Sequence, residues 1–171
     1  MADLNQPSDI LMPPTEKPKI PSGINVLTIL TFIGCAIGLL GSIYSFTSSK
    51  KNLDTMEATI NSPGYESMPA LAKKFMNPEA LEVARKTYEN RVPMTVIGIV
   101  CIGLCFYGAL QMRQLKKQGY LLYLIGEILP VLCYGIFIGM GALMAFSGLI
   151  MIAFTLLFVL LYTAQRKYLV D

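Results

Sequence analysis

The chain has 171 residues, of which 54% are hydrophobic and only 15% are charged. A soluble domain is about 45–50% apolar and about 25% charged, so this composition excludes a water-soluble globule and indicates a membrane protein. The net charge of +3 is too small for a nucleic-acid-binding surface.

Residue types that support catalysis or metal binding are scarce. Histidine is absent, which removes the commonest general base and the commonest transition-metal ligand. No nucleophile–base pair, phosphate-binding glycine loop or paired intramembrane carboxylates occur, so we expect no enzymatic activity, no cofactor and no metal. The cysteines all lie in apolar runs, which fits neither a disulfide framework nor a zinc site. They are Cys35, Cys101, Cys105 and Cys133.

The first spanning helix follows a polar tail. Residues 1–23 contain five prolines, which predict a flexible cytoplasmic tail, with a short docking peptide as the alternative. Residues 24–47 carry no charge and are long enough to cross a bilayer, so they form span 1. This run is also too long for the apolar region of a signal peptide.

Residues 48–92 form a hydrophilic segment with clear helix signals. Asn77-Pro78-Glu79 is typical of a helix start, and the pairs Glu82–Lys86 and Arg85–Glu89 support that helix at i,i+4 spacing. A shorter helix after Pro69 presents Leu71 and Phe75. We therefore predict a small helical cap outside the cytoplasm, which docks a partner or covers its own bundle.

The remaining apolar sequence divides into three more spans. Glu127 is the only charge in residues 120–165, and one helix of that length would measure about 69 Å, more than twice the hydrocarbon thickness. The chain must therefore turn back, and the small residues at 139–148 mark the hairpin. The predicted segments are span 2 at 93–112, a basic cytoplasmic loop at 113–119, span 3 at 120–143, span 4 at 147–164 and a basic cytoplasmic tail at 165–171.

Positive charge gives the orientation. Basic residues cluster at one end of spans 3 and 4, whereas the opposite hairpin has none, so the positive-inside rule places both termini in the cytoplasm. The clustered residues are Arg113, Lys116, Lys117, Arg166 and Lys167. The 48–92 segment carries seven basic residues of its own, which count against this orientation under the same rule.

Small residues form stripes at helical spacing. Lipid provides no hydrophobic force between helices, so close packing through small side chains must hold them together, within one bundle or between two chains. The predicted packing residues are Gly34 and Gly38 in span 1, and Gly98, Cys101, Cys105 and Gly108 in span 2. A redox pair at Cys101 and Cys105 is the alternative to packing.

Glu127 is the residue that most needs an explanation. A carboxylate roughly 10 Å inside a span must be paired, hydrated or protonated. The alternatives are a structural acid that fixes helix register, a proton- or cation-binding site, and snorkelling toward the basic loop. Helical spacing and depth give its expected polar neighbours, and Pro130 is expected to kink the helix. These neighbours are Tyr120, Tyr123, Tyr134, Thr31, Cys105 and Thr155.

The segment Gly108–Pro130 and the tail Tyr162–Lys167 resemble small four-span proteins of bacterial inner membranes. The shared features are a basic KKxGY turn, a YxxGExxP helix and a final YxxQRK-like motif. The resemblance implies an inner-membrane tetraspan and no particular activity. The topology is similar to that of claudins and tetraspanins, although the loop cysteines typical of those proteins are missing here.

Two functions remain open. The first is a non-enzymatic tetraspan that acts as an accessory subunit, a scaffold or an oligomeric component, in a homo-oligomer or a larger membrane complex. The second is a small oligomeric transporter or channel that uses Glu127 to bind a proton or cation. The lipid bilayer is the expected environment in both, and nucleic acid is not an expected partner.

Overall fold

A computed structural model describes residues 20–170, so the predicted tail lies largely outside the described residues. Within residues 20–170, four helices are long and apolar enough to cross a membrane. This confirms the predicted all-α architecture and indicates an integral membrane protein. The helices are α1 (Ser22–Ile60), α2 (Ala70–Phe75), α3 (Pro78–Glu89), α4 (Arg91–Arg113), α5 (Lys117–Phe137), α6 (Met140–Met144) and α7 (Phe146–Gln165), with α1, α4, α5 and α7 as the long ones.

Helix α1 continues far beyond the predicted end of span 1 at residue 47. It has 39 residues and ends only at Ile60. At the helical rise this is about 58 Å, almost twice the hydrocarbon thickness. Charge begins at Lys50, but charged residues do not stop a helix, and the first strong helix breakers are Pro63 and Gly64. The second half of α1 is therefore a rigid support for the hydrophilic segment.

Helix α3 packs along that second half of α1. The predicted start is observed: the Asn77 side chain accepts a hydrogen bond of 2.6 Å from the Ala80 amide, and Pro78 is the first helical residue. Lys86 Nζ lies 2.7 Å from Glu82 Oε1, and this hydrogen bond holds the pKa of the Glu82 carboxyl below its ordinary value. The 48–92 segment is thus an ordered helical unit.

The predicted Arg85–Glu89 pair is replaced by a contact between helices. Arg85 Nη2 lies 3.0 Å from Oε1 of Glu57, which belongs to α1. Since α3 lies against α1, the long guanidinium side chain reaches across to the neighbouring helix rather than along its own. The pair fixes the position of α3 on α1, although an exposed ion pair contributes only about 0–1 kcal/mol.

The turn between α5 and α7 occurs within the predicted hairpin, but α5 ends at Phe137 and not at residue 143. Gly139 has φ 115°, a conformation that a residue with a side chain adopts only under strain, and this ends the helix. The single-turn helix α6 follows, and Ala145 then precedes α7. Pro130 lies inside α5, which is helical on both sides of it.

Helices α4 and α5 approach each other closely enough for their backbones to touch. A methyl group built on Gly108 would lie 2.7 Å from the Gly119 carbonyl oxygen, and one on Gly119 would lie 2.6 Å from the Gly108 carbonyl oxygen. A methyl on Gly126 would lie 2.7 Å from the Cys105 sulfur and 2.9 Å from the Cys101 carbonyl oxygen. Gly119 was expected in the basic loop. It lies instead in the first turn of α5, because the turn is made by residues 114–116.

The other predicted packing residues contribute unequally. Gly38 lies against Ile102, whose side chain would be 3.3 Å from an added methyl, and Gly98 lies near Ser42 at 3.8 Å. Within residues 20–170, no atom of a neighbouring element lies within 4 Å of the corresponding position on Gly34. The predicted Gly34–Gly38 stripe therefore packs only at Gly38 within this chain.

The C-terminal segment closes the basic end of the bundle. The Val170 amide donates to the Leu115 carbonyl at 2.7 Å, and the Lys117 amide donates to the Val170 carbonyl at 3.1 Å. Leu115 and Leu169 are buried beside this contact. The end of the chain thus satisfies a backbone amide at the start of α5 that the helix itself leaves unpaired.

The most buried side chains lie near this same end. Ile24, Thr28, Met112 and Tyr162 are each 1% exposed or less. They come from the start of α1 and the last turns of α4 and α7. The bundle is therefore tightest where its basic residues cluster.

We predict that Gly126→Ala lowers the stability of the folded bundle by about 1–3 kcal/mol, because its methyl group would overlap Cys105 and the α4 backbone. Gly103→Ala is the matched control, since no atom of another described element lies within 4 Å of its added methyl group. Alanine favours helix over glycine by about 1 kcal/mol, so the control should be neutral or stabilising. Thermal melts followed by circular dichroism in detergent test this, and equal melting temperatures for the two variants would contradict it.

Candidate functional site at Glu127

Glu127 lies on α5, half-buried, with its carboxylate facing donors from two helices. The Tyr123 hydroxyl, one turn earlier on the same helix, donates to Oε1 at 3.5 Å. The Cys105 thiol on α4 donates to Oε2 at 3.7 Å. The thiol reaches the carboxylate because the absent side chain of Gly126 lets α4 come close at this level. This acid of a candidate span therefore has partners within its own chain.

Tyr123 connects the acid to a second polar pair. Its ring lies against the Tyr162 ring with a centroid separation of 4.3 Å, and the two residues are 2% and 1% exposed. The Tyr162 hydroxyl shares a hydrogen bond of 2.7 Å with the Thr31 hydroxyl on α1. Glu127, Cys105, Tyr123, Tyr162 and Thr31 form what we term the polar cluster. It joins all four long helices.

A third contact lies beside the polar cluster, toward the basic end. The hydroxyl oxygens of Tyr120 and Thr163 are 2.8 Å apart. The Thr163 hydroxyl also donates to the Val159 carbonyl at 2.6 Å. Since its single proton is used there, Tyr120 must be the donor to Thr163. This bond is a polar link between α5 and α7, in addition to the ring contact of Tyr123 with Tyr162.

The predicted neighbours of Glu127 separate into two groups. Tyr123, Cys105 and Thr31 belong to the polar cluster, and Tyr120 binds Thr163 beside it. Tyr134 and Thr155 are half-buried, and neither side chain has a hydrogen-bond partner in residues 20–170. Tyr134 is two helical turns from Glu127, toward the hairpin, and Thr155 is two turns from Thr163. The polar contacts therefore lie nearer the basic end than expected from matching residues at equal depth in the four spans.

Tyr162 and Thr163 are the site residues that the sequence reasoning missed. In the sequence they belong to the terminal motif, and matching by depth selects Thr155 as the residue of α7 that lies near Glu127. A usable signal existed, because a Tyr-Thr pair just before Arg166 matches the Tyr120 and Tyr123 positions just after Lys117. Two hydroxyl-bearing helix ends next to the same basic surface are candidates for mutual hydrogen bonding.

Two of the cysteines act as weak hydrogen-bond donors: Cys105 to the Glu127 carboxylate and Cys35 to a backbone carbonyl. In the described part of the chain, no three histidine, cysteine or acidic side chains are placed to hold a metal ion. Cys35 donates to the Ile102 carbonyl at 3.7 Å, so it acts as a small packing residue with a weak donor. The cysteines of residues 20–170 form no disulfide.

Comparisons with known proteins add no functional assignment. No protein-family model, curated protein or solved structure matches the chain. Function must therefore be inferred from the site and the surfaces.

We predict that the Thr31–Tyr162 bond fixes α7 on α1. Tyr162→Phe removes this buried hydrogen bond and should lower stability by about 0.6–1.7 kcal/mol, as for other bonds between spanning helices. Tyr107→Phe is the control, because Tyr107 is exposed on α4. In a double-mutant cycle with Thr31→Val, the second substitution should have a much smaller effect than the first. Strict additivity in thermal melts would show that the bond contributes nothing.

Proposed function

We propose that this chain is a non-enzymatic tetraspan of the bacterial inner membrane that works by association with other membrane proteins. It serves as an accessory subunit, a scaffold or an oligomeric component, with both termini in the cytoplasm and residues 48–92 outside. The resemblance of residues 108–130 to bacterial four-span proteins supports the assignment to the bacterial inner membrane. The adjacency of the α4–α5 turn and the C-terminal segment supports the orientation, since it gathers basic residues at one end.

The apolar face of α2 is the observation that carries the proposal. Leu71 is 70% exposed and Phe75 is 57% exposed, and at i,i+4 spacing they lie on the same side of the helix. This helix lies outside the four candidate spans. Exposed large apolar side chains on an ordered element outside the lipid are typical of a protein-binding surface.

Contacts of Lys73 tie α2 to the turn that precedes it. Lys73 Nζ donates to the Glu66 carbonyl at 2.7 Å, and the same ammonium lies 5.7 Å from the centre of the Tyr65 ring. The neighbouring α3 is fixed to α1 by the ion pair of Arg85 and Glu57. A surface that is ordered before binding loses less conformational entropy when a partner arrives.

The contacts of Glu127 agree with a role in assembly. Its two donors come from the same chain: Cys105 joins α4 to α5, and Tyr123 holds the carboxylate from within α5. An acid held in this way fixes the register of the helices and so the shape that the bundle offers to a partner.

We predict that the double substitution Leu71→Ser and Phe75→Ser weakens partner binding at least about tenfold, because large apolar side chains dominate such interfaces. The variant should still fold, since both side chains are exposed. Lys74→Ser on the same helix is the control and should bind as the wild type does. The measurement is gentle purification from native membranes, followed by native mass spectrometry to determine the partner or the homo-oligomer.

A photo-crosslinking residue at position 71 identifies what the α2 face contacts. A protein adduct, with another chain or a second copy, is the expected result. Adducts with lipid alone, together with a monomeric wild type, would contradict the proposal.

The second candidate function is transport of a proton or cation through Glu127. One observation favours it: both hydrogen bonds to the carboxylate are long, at 3.5 Å and 3.7 Å. Long bonds leave the oxygens free to accept a stronger partner, such as a proton or a cation. Four helices in one chain enclose little volume, so this function would require an oligomer.

We predict that Glu127→Gln keeps the fold and changes no flux. The amide oxygen still accepts a hydrogen bond, so the loss of stability should stay within about 1 kcal/mol. Glu127→Leu leaves both donors unpaired and should cost about 1–3 kcal/mol. Proteoliposomes with a pH-sensitive dye measure proton entry. If the wild type shows proton flux and Glu127→Gln loses it, transport and not association would be the function of this chain.

A further inference from the structure

A groove lies at the end of the bundle opposite the basic residues, where α1, α3 and the start of α4 meet. Its volume is about 310 Å³. The α1 wall includes Ser42, Ser45 and Ser49, and the other wall includes Thr87 of α3 with Arg91 and Thr95 of α4. Hydroxyl groups and one cation therefore line a space between two of the four candidate spans.

Arg91 is the only charged residue that the described part of the chain contributes to the lining. Among residues 20–170, the ion pairs involve Lys73, Lys86 and Arg85, and none involves Arg91. Its guanidinium lies 4.1 Å from the centre of the Tyr88 ring and 5.8 Å from that of Phe46. These rings hold the cation in place without supplying negative charge.

Two hydroxyls in the groove have no partner. Ser42, Ser49 and Thr87 donate to backbone carbonyls of their own helices. Ser45 and Thr95 have no hydrogen-bond partner in the described part of the chain and can donate to a ligand. The groove thus offers a guanidinium and two free hydroxyl donors, which is the donor set that binds phosphate oxygens.

The position of the groove favours a lipid over a free anion. Arg91 is the first residue of α4, where a spanning helix enters the level of the lipid headgroups. From there the α1 wall continues into the span through Gly41 and Gly38. Among the described residues, no atom of a neighbouring element lies within 4 Å of a methyl built on Gly41, so the wall leaves room for an acyl chain.

We propose that this groove binds an anionic phospholipid, with its phosphate on Arg91, Ser45 and Thr95 and an acyl chain beside Gly41. The Arg91 guanidinium neutralises the charge of the headgroup, and the open space beside Gly41 holds the acyl chain. The interaction uses residues outside the polar cluster and the α2 face.

The test compares nanodiscs of phosphatidylcholine alone with nanodiscs that contain a minor fraction of phosphatidylglycerol. Native mass spectrometry counts the lipids that stay bound to each chain. The wild type should retain phosphatidylglycerol selectively, and Arg91→Gln should reduce this retention about tenfold, since it removes a charge-assisted hydrogen bond. Arg91→Lys, which keeps the charge, should recover part of it. Lys50→Gln removes one exposed charge near the groove and should leave retention unchanged.

A second variant tests the groove without altering charge. Gly41→Leu fills the space for the acyl chain, and that space is open enough for the variant to fold. It should also lose selective retention, while circular dichroism shows an intact helix content. Equal retention of both lipids by the wild type, or equal effects of Arg91→Gln and Lys50→Gln, would overturn the proposal. Displacement of the bound lipid by inorganic phosphate would assign the site to the free anion and overturn the lipid assignment.

Discussion

The contact between the α4 and α5 backbones is the interaction on which the bundle depends. Lipid chains are as apolar as leucine side chains, so burying apolar surface between helices provides little force, and close packing must supply it. Gly108, Gly119 and Gly126 allow this packing, because a methyl at any of them would overlap atoms of the other helix. The same approach brings the Cys105 thiol to the Glu127 carboxylate. Glu127 thus has a hydrogen-bond partner on α4 because the glycines let the two helices come close together.

Helix α7 is held by different chemistry. Only Gly148 and Tyr162 are buried in its length, so it lacks an extended packing face on the bundle. Its attachment relies on the Tyr162–Thr31 and Tyr120–Thr163 hydrogen bonds and on the ring contact with Tyr123. Hydrogen bonds between spanning helices average about 0.6 kcal/mol and reach about 1.7, so two bonds and a ring contact form a modest but specific anchor. The polar cluster therefore positions the helix that packs least.

Local patterns in the sequence predict the individual helices better than they predict the contacts between helices. Hydropathy and length indicate four long helices, and Asn77-Pro78 marks the start of α3 correctly. Hydropathy predicts the end of span 1 at residue 47, where polar residues begin. Helix α1 continues to Ile60, because a helix ends at a helix breaker and not at the first polar residue. Gly119 was assigned to a loop because glycine after basic residues resembles a turn, and only the position of α4 shows that it packs. Tyr162 was missed because depth counting does not give the rotation of α7, which depends on long-range contacts.

The two ends of the bundle use the same residue types in opposite ways. Near the basic end, glycines are covered by backbone, and the C-terminal segment closes the structure at Leu115 and Lys117. At the other end, Gly41 and Ser45 remain uncovered beside Arg91. A lipid in that groove would contact α1, α3 and α4 together. Because a ligand stabilises the conformation that it binds, this contact would strengthen the packing of α3 on α1 without any change at Glu127.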